Sequence, residues 1–353
     1  AGDLVGIKDY ANTADTNNIT IGRNGSNIEG VANDFVISVE GGSITLIYVD
    51  ATKGWLSTAA AKASDISEQQ VFITATGGTI TTSGDFKIHT FTGPGTFCVS
   101  CAGNAGGSNT VDYLVVAGGG AGGKNHGGGG GAGGFRESSG AASGCYTASP
   151  LGSGVSALPV SATAFPITIG AGGSATPLCG TNGGNSIFST ITSAGGGFGA
   201  RESFNGGPGG SGGGSSNPTG AASTPGSGNT PPVSPPQGNP GGSLSPTGND
   251  PFAAAGGGGA TVAGTPGLGG PGGNGATTSI NATPTTFAGG GGGGGVYLGA
   301  GGGSGGSGGG GAGQGTGAGT PGTTNTGGGG GGARCAGGGN GGSGIVIIRY
   351  KFQ

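Results

Sequence analysis

Glycine occupies 101 of the 353 positions of this chain, and it stands alone in runs such as 289–295 and 327–332. A glycine run has no side chain to bury and loses more backbone entropy on ordering than any other sequence. It cannot build an ordinary core, so it is either a flexible tract or one ordered through its own backbone hydrogen bonds. Collagen needs glycine at every third position, and the unbroken runs keep no such register. Packed polyglycine-II helices share collagen's extended threefold geometry, with a rise of about 3.1 Å per residue. Without side chains, such helices can hydrogen-bond directly to their neighbours.

Other features favour order over disorder. Disordered chains carry high net charge and little hydrophobicity, whereas this chain has a net charge of −3 and is only 7 % charged. Ala, Phe, Val and Leu interrupt the glycine tracts, and the chain ends in a strand-like segment, Gly344-Ile345-Val346-Ile347-Ile348-Arg349-Tyr350-Lys351-Phe352. A terminal strand needs a partner earlier in the chain. Eleven Lys and Arg form no basic stripe, which argues against nucleic acid as a partner. No apolar run approaches the roughly 20 residues of a membrane helix, and Ala1-Gly2-Asp3 lacks the pattern of a signal peptide. The expectation is a protein without membrane insertion that leaves a cell by a route such as phage lysis.

Three regions follow from patterning. Residues 1–62 alternate like a small N-terminal β domain, with strands expected at Asn18-Ile19-Thr20-Ile21-Gly22, Asp34-Phe35-Val36-Ile37-Ser38-Val39 and Ser43-Ile44-Thr45-Leu46-Ile47-Tyr48-Val49-Asp50. Residues 63–70 read as a linker with weak capping character. Residues 71–353 form a glycine-rich domain framed by strands at Val71 to Ala75, Thr79 to Thr82, Asp85 to Phe91, Thr96 to Val99, Val111 to Val116, Phe165 to Gly170, Asn185 to Thr192 and the C-terminus. Pro/Ser/Asn-rich stretches, above all 215–250, read as loops. The fold class expected is mainly β with polyglycine-II helices, long loops and little or no α-helix.

These residues also carry a family resemblance. Phe86-Lys87-Ile88-His89-Thr90-Phe91-Thr92, Gly95-Thr96-Phe97, Asp112-Tyr113-Leu114-Val115-Val116-Ala117-Gly118-Gly119-Gly120 and Gly133-Gly134-Phe135-Arg136 open the set. Ile167-Thr168-Ile169-Gly170-Ala171-Gly172-Gly173, Ser193-Ala194-Gly195-Gly196-Gly197 and Gly341-Gly342-Ser343-Gly344-Ile345-Val346-Ile347-Ile348-Arg349-Tyr350 complete it. Over residues 71–353 the order resembles the glycine-rich domain of bacteriophage tail-fibre and related virion proteins. Leu46 to Trp55 looks like part of a small β unit that precedes such domains. The resemblance implies a virion or extracellular appendage, trimeric, attached to other virion proteins through its N-terminal part. Its loops would contact a host surface glycan or outer-membrane protein. The alternative is a capsid-surface decoration or extracellular filament subunit with a purely structural role.

Catalysis fits poorly. His89 belongs to a strand and His126 to a glycine loop; paired carboxylates at acid/base spacing and a nucleophile elbow are both missing. The many Gly-x-Gly-x-x-Gly matches are noise, since no helix can follow them. The chain is therefore read as a non-enzyme without cofactor or metal. Cys98-Val99-Ser100-Cys101 lacks the context of a zinc or redox motif. With Cys145, Cys179 and Cys335 the thiols number five, so at least one stays free or pairs between chains. Disulfides of unassigned pairing in an oxidising setting and reduced buried thiols both remain open. Asn18, Asn24 and Asn281 head chance glycosylation patterns. Phe135, Tyr146, Phe198, Phe204, Phe252 and Tyr297 either plug the ends of a glycine bundle or face a partner. The candidate host-contact residues are His126, Arg136, Tyr146, Arg201, Phe204, Phe252 and Tyr297, within loops expected at 136–163 and 201–250.

Overall fold

The computed structural model describes residues 2–60, 70–144, 146–176, 180–202, 204–217, 223–244, 252–295 and 301–353. All but the last residue of the expected linker 63–70, together with Cys145, Cys179 and Tyr297, lies outside them. The chain divides into two units, residues 1–74 with 101–109 and 352–353, and residues 75–100 with 110–351.

The first unit holds β1 (Leu4–Lys8), β2 (Ile19–Ile21), β3 (Phe35–Ile37), β4 (Ser43–Asp50) and β5 (Gly54–Ala60). Strands β1, β4 and β5 form one antiparallel sheet in that order, and β2 pairs with β3. Alternation in β4 sends Ile44 and Leu46 inward, where they meet Ala14, Ile28, Phe35 and Ile37, with Trp55 packed alongside. Asp9 ties the surrounding turns together by accepting from the Ala14 and Gly41 amides, each at 3.0 Å. Those backbone donors, Ala14 first, hold its carboxyl below the usual aspartate range. Gly54 begins β5 at φ +69, and a Cβ there would lie 1.8 Å from the Asn27 carbonyl oxygen, so no other residue fits. Strands β1 and β5 go beyond the sequence expectation; the exposed apolar face of β1 offers little alternation to read.

The remaining strands are β6 (Ile73–Thr76), β7 (Thr79–Ser83), β8 (Phe86–Phe91), β9 (Gly95–Ala102), β10 (Thr110–Val116), β11 (Phe135–Glu137), β12 (Leu158–Pro159) and β13 (Ala164–Thr168). They continue with β14 (Ser186–Phe188), β15 (Ile191–Ser193), β16 (Ser216–Asn217), β17 (Ala253–Ala254), β18 (Ala276–Thr278), β19 (Thr285–Phe287) and β20 (Ile345–Lys351). One sheet runs β11-β10-β20-β8-β7 with β12 beside β10, and a second runs β15-β14-β13-β9-β6. The C-terminal strand β20 thus finds its partners in β10 and β8. The fold is mainly β; among the described residues the only helical turn is a 3-10 turn at Pro150–Gly152.

Strand β10 is buried along both faces and reads as a continuous apolar run. Its Leu114 and Val116 join Ile88, Phe135, Ile345 and Ile347 on one face, covered by Ala132, Ala260, Ala276, Ile280, Phe287 and Ala288. Around Phe97, an aromatic cluster takes in His89, Phe165, Phe188 and Tyr350 at centroid distances of 5.1–6.4 Å. His89 is fully buried, with Nδ1 2.7 Å from the Gly77 carbonyl and Nε2 3.1 Å from the Tyr350 hydroxyl. The sequence placed His89 on a strand face, and the structure shows that face to be core.

The glycine tracts are ordered by their backbones. Gly129 and Ala132 donate to Ala255 and Gly258, Gly130 and Gly133 to Gly330 and Gly327, and Gly131 and Gly134 to Gly197 and Ala194, all at 2.8–2.9 Å. Donors three residues apart reach the same neighbouring run, and successive donors turn to three different runs. That period of three is the threefold symmetry of polyglycine II. The order of acceptors makes the first neighbour parallel and the other two antiparallel. Residues 118–123 repeat the scheme towards 184 and 181, 342 and 339, and 131 and 128. Within 289–295 no residue has a positive φ, so glycine is needed there for space and not for its conformational freedom. A Cβ on Gly129 would sit 1.9 Å from the Gly291 oxygen, and one on Gly291 2.0 Å from the Gly330 oxygen.

Candidate functional site

The glycine runs start and stop at two ends. At the base they join strands: Val116 passes into Ala117, Gly134 into Phe135, Ser193 into Ala194, and Gly344 into Ile345. At the other, free end they turn through loops around 124–127, 200–206 and 333–337. A residue with a side chain cannot sit inside a run where a Cβ would meet a neighbouring carbonyl at about 2 Å. Most polar and aromatic side chains therefore fall in the turns; Phe198, between Gly197 and Gly199, is an exception, and its carbonyl accepts from the Gly207 amide at 2.8 Å.

Four of the expected residues come together at the free end. The His126 amide donates to the Arg334 carbonyl at 3.0 Å, and the His126 carbonyl accepts from Ser216 Oγ at 2.7 Å. The short pairing of β16 with β17 brings Phe252 against the His126 ring, with centroids 4.8 Å apart. The Ala200 carbonyl accepts from the Gly128 amide at 2.8 Å, and this seats the following turn beside the His126 loop. In that turn the Arg201 guanidinium lies 4.9 Å from the centre of the Phe204 ring, and Phe204 is 51 % exposed. Burial holds the His126 imidazole below its ordinary pKa; among the charges that act on it, Arg334 lowers it and Glu202 raises it.

The backbone at this end is strained. Asn125, His126, Glu202 and Phe252 have φ values of 51, 58, 37 and 78. A non-glycine residue in that region costs on the order of 1–3 kcal/mol, and such strain gathers at functional sites.

The other expected residues lie elsewhere. Arg136 sits on β11 beside the core, and Phe135 is a core residue at 1 % exposure. Tyr146 packs against the same core at the base, and its hydroxyl donates to the Ser138 carbonyl at 3.4 Å. Burial pushes its phenol far above the usual range. The loop expected at 136–163 is held to the sheet by Asp112 of β10, which accepts from Ser138 Oγ and Ser143 N at 2.7 Å and from Gly140 N at 3.1 Å. Residues 228–240 also return to the base, where the Gln237 carbonyl accepts from the Phe135 amide at 2.9 Å. Of the two loop regions expected to face a host, only parts of 201–250 reach the free end. The tertiary fold decides this, because a loop's position in sequence does not say which end of a run it closes.

Arg334 and Glu202 were missed in the sequence, although a signal exists: each stands directly beyond a glycine-rich run, where the lattice must end. Cys98, Cys101 and Cys335 are free thiols. Cys98 and Cys101 share β9, where three residues span about 10 Å, beyond the roughly 7 Å that a disulfide can bridge.

A β framework carrying a polyglycine-II bundle with a loop-built end defines the class of protein. Residues 90–351 match the family described as a glycine-rich domain, and the chain belongs to that family. No curated protein matches it.

Proposed function

We propose that this protein is a virion structural protein, a tail fibre or tip adhesin, that presents the free end of its glycine bundle to a host cell surface. The observation that carries the reading is the segregation of side chains. The runs are mostly glycine with a few small residues such as Ala121, Ala132 and Ser211, while His126, Arg201, Phe204, Phe252 and Arg334 gather in the turns at the free end. A lattice held by backbone hydrogen bonds tolerates changes in its turns without repacking, as a recognition scaffold requires. The resemblance to phage tail-fibre glycine-rich domains supports the same assignment. On this reading the protein is a homotrimer at the virion surface, joined to other virion proteins through its N-terminal unit, and it catalyses no reaction.

The test is binding of the labelled full-length protein to intact cells of a panel of bacteria, beside a variant whose residues 201–205 are replaced by a Gly/Ser segment. Saturable binding by the parent to some strains, lost in the variant, is the expected result. Equal behaviour of the two folded proteins on every strain would instead favour a capsid decoration or filament subunit.

A further inference from the structure

In the first unit, a cleft of about 290 Å³ opens on the face of the β1-β4-β5 sheet that carries Leu46. Ile28 and Leu46, at 1 % and 2 % exposure, form its floor. Val5, Ile21 and Trp55 are further apolar walls, and Arg23 is the one charged residue of the lining. Ligand pockets run from about 300 to 1,000 Å³, so this cleft has room for one large side chain and not for a cofactor. The Arg23 amide donates to Asp34 Oδ1 at 2.8 Å, but its guanidinium has no hydrogen bond or ion pair among the described residues.

Beside the cleft runs an open strand edge, since β1 pairs with β4 alone. The Tyr48 amide donates to the Asp3 carbonyl and the Asp9 amide to the Gly42 carbonyl. Asp3, Val5, Ile7 and Asp9 therefore turn their backbone groups to β4, and those of Leu4, Gly6 and Lys8 point the other way, where no described strand follows. Such a row is a template for another chain, and edges are commonly guarded by Lys, Pro or a bulge. Here Leu4 and Val5 are 64 % and 42 % exposed, and the one charge of the strand, Lys8, donates to the Gly41 carbonyl. Val5 pairs with Leu46, so it belongs both to the open edge strand and to the cleft. An extended segment laid along β1 would set every second side chain on the face where the cleft opens.

We propose that the first unit binds the extended C-terminus of a partner protein, added as a strand beside β1, with its last side chain apolar and seated in the cleft and its terminal carboxylate on Arg23. Backbone hydrogen bonds supply affinity in this mode, and the pocket supplies selection. An acidic side chain within the segment fits less well. In a strand the neighbouring side chain faces the other way, and the one after it lies about 7 Å off, whereas a terminal carboxylate belongs to the same residue as the apolar group. A second copy of this chain fits less well too: its own edge strand, Leu4–Lys8, carries no carboxylate, and its Ile7 packs on its own core. The site stands on this geometry; that the partner is another virion protein rests on the adhesin reading.

The test titrates the full-length protein with hexapeptides of alternating Thr and Val that end in Phe, in Ala, or in Phe as its amide, and with N-acetylphenylalanine. Binding is read from the emission of Trp55, the chain's only tryptophan, and by calorimetry. The Phe acid should bind saturably, and the Ala-ended peptide and the amide should each bind at least about tenfold more weakly. These comparisons use the unaltered protein. R23Q should abolish the difference between acid and amide. G6P removes an outward amide donor and leaves the ladder to β4 intact; a Cβ at Gly6 meets nothing closer than Thr45 Oγ1 at 4.0 Å. It should weaken the hexapeptide by roughly tenfold and leave N-acetylphenylalanine unchanged. Unfolding midpoints establish that both variants are folded. Failure of the Phe acid to bind would overturn the proposal, as would equal affinity for the three peptides, an R23Q variant that keeps the acid preference, or a G6P variant of unchanged affinity. Self-association of the parent that is lost in G6P would give the edge to a second copy and overturn it as well. The adhesin reading is tested separately, because the variant altered at 201–205 keeps Gly6 and Arg23: cell binding that needs 201–205 would stand whatever the peptides do.

Discussion

At the scale of single residues, the chain separates two uses of glycine that composition alone cannot distinguish. Inside the runs, glycine is required because another backbone occupies the place of its Cβ. At Gly130 that Cβ would lie 2.2 Å from the Gly120 oxygen and 2.8 Å from the Ala121 oxygen. Neither carbonyl can withdraw without breaking a bond of the lattice. Gly317, by contrast, has open space at its Cβ position and no positive φ. Gly130→Ala should therefore cost about 3 kcal/mol or more by overpacking, whereas Gly317→Ala should be neutral or stabilise by roughly 0.4–1 kcal/mol through the unfolded chain. Denaturant unfolding of the two variants measures this contrast. Equal effects would mean that the runs are not packed backbone against backbone.

At the scale of elements, the centre of the strand framework carries a titratable group. His89 on β8 pairs across to Ile348 on β20 and stacks on Tyr350, with ring centroids 5.5 Å apart. Burial lowers its pKa from the ordinary 6.5, and burial likewise raises the Tyr350 phenol to about 12. The sign follows from linkage. The unfolded chain protonates this histidine near pH 6.5 while the folded chain resists, so unfolding takes up a proton. Stability is whole above pH 6.5 and declines as the pH falls below it, by at most about 1.4 kcal/mol per pH unit. His126, shifted in the same direction, adds a contribution of the same sign. His89→Gln should thus reduce the loss between pH 6.5 and 5, at some cost in stability at pH 7.5, as read from thermal midpoints across that range. A slope unchanged by the substitution would remove His89 from this role.

At the scale of the whole molecule, the glycine bundle depends on the strands that anchor its base. Ordering a residue costs about 1–2 kcal/mol of backbone entropy, and most for glycine. A net hydrogen bond returns only about 0.5–1.5 kcal/mol. The lattice cannot close that gap without side-chain burial, which is concentrated on β8, β10, β11 and β20 and on the alanines and aromatics beneath them. Deleting 345–353 removes the strand between β10 and β8. The truncated protein should lose its bundle as well as its sheet, seen as rapid proteolysis throughout 117–344 and loss of the cooperative thermal transition. Persistence of a protease-resistant glycine core would show that the lattice holds itself.

Much of this protein was legible in its sequence. Long glycine runs without a collagen register, set between apolar β-branched segments, predicted both the strands and backbone-ordered helices; β4, β8, β10 and β20 fall where alternation or continuous apolar character placed them. His126, Arg201, Phe204 and Phe252 could be singled out as polar or aromatic side chains beside glycine-rich stretches, but the same signal named Arg136 and Tyr146, which lie at the base. Which turns share an end was not legible. That depends on whether each run is parallel or antiparallel to its three neighbours, and polyglycine II bonds equally well in both directions. Only the tertiary structure drew Tyr146 and Arg136 to the base, brought Arg334 and Glu202 to His126, and made His89 core. Those positions are set by contacts between distant segments, for which a side-chain-free run carries no local code.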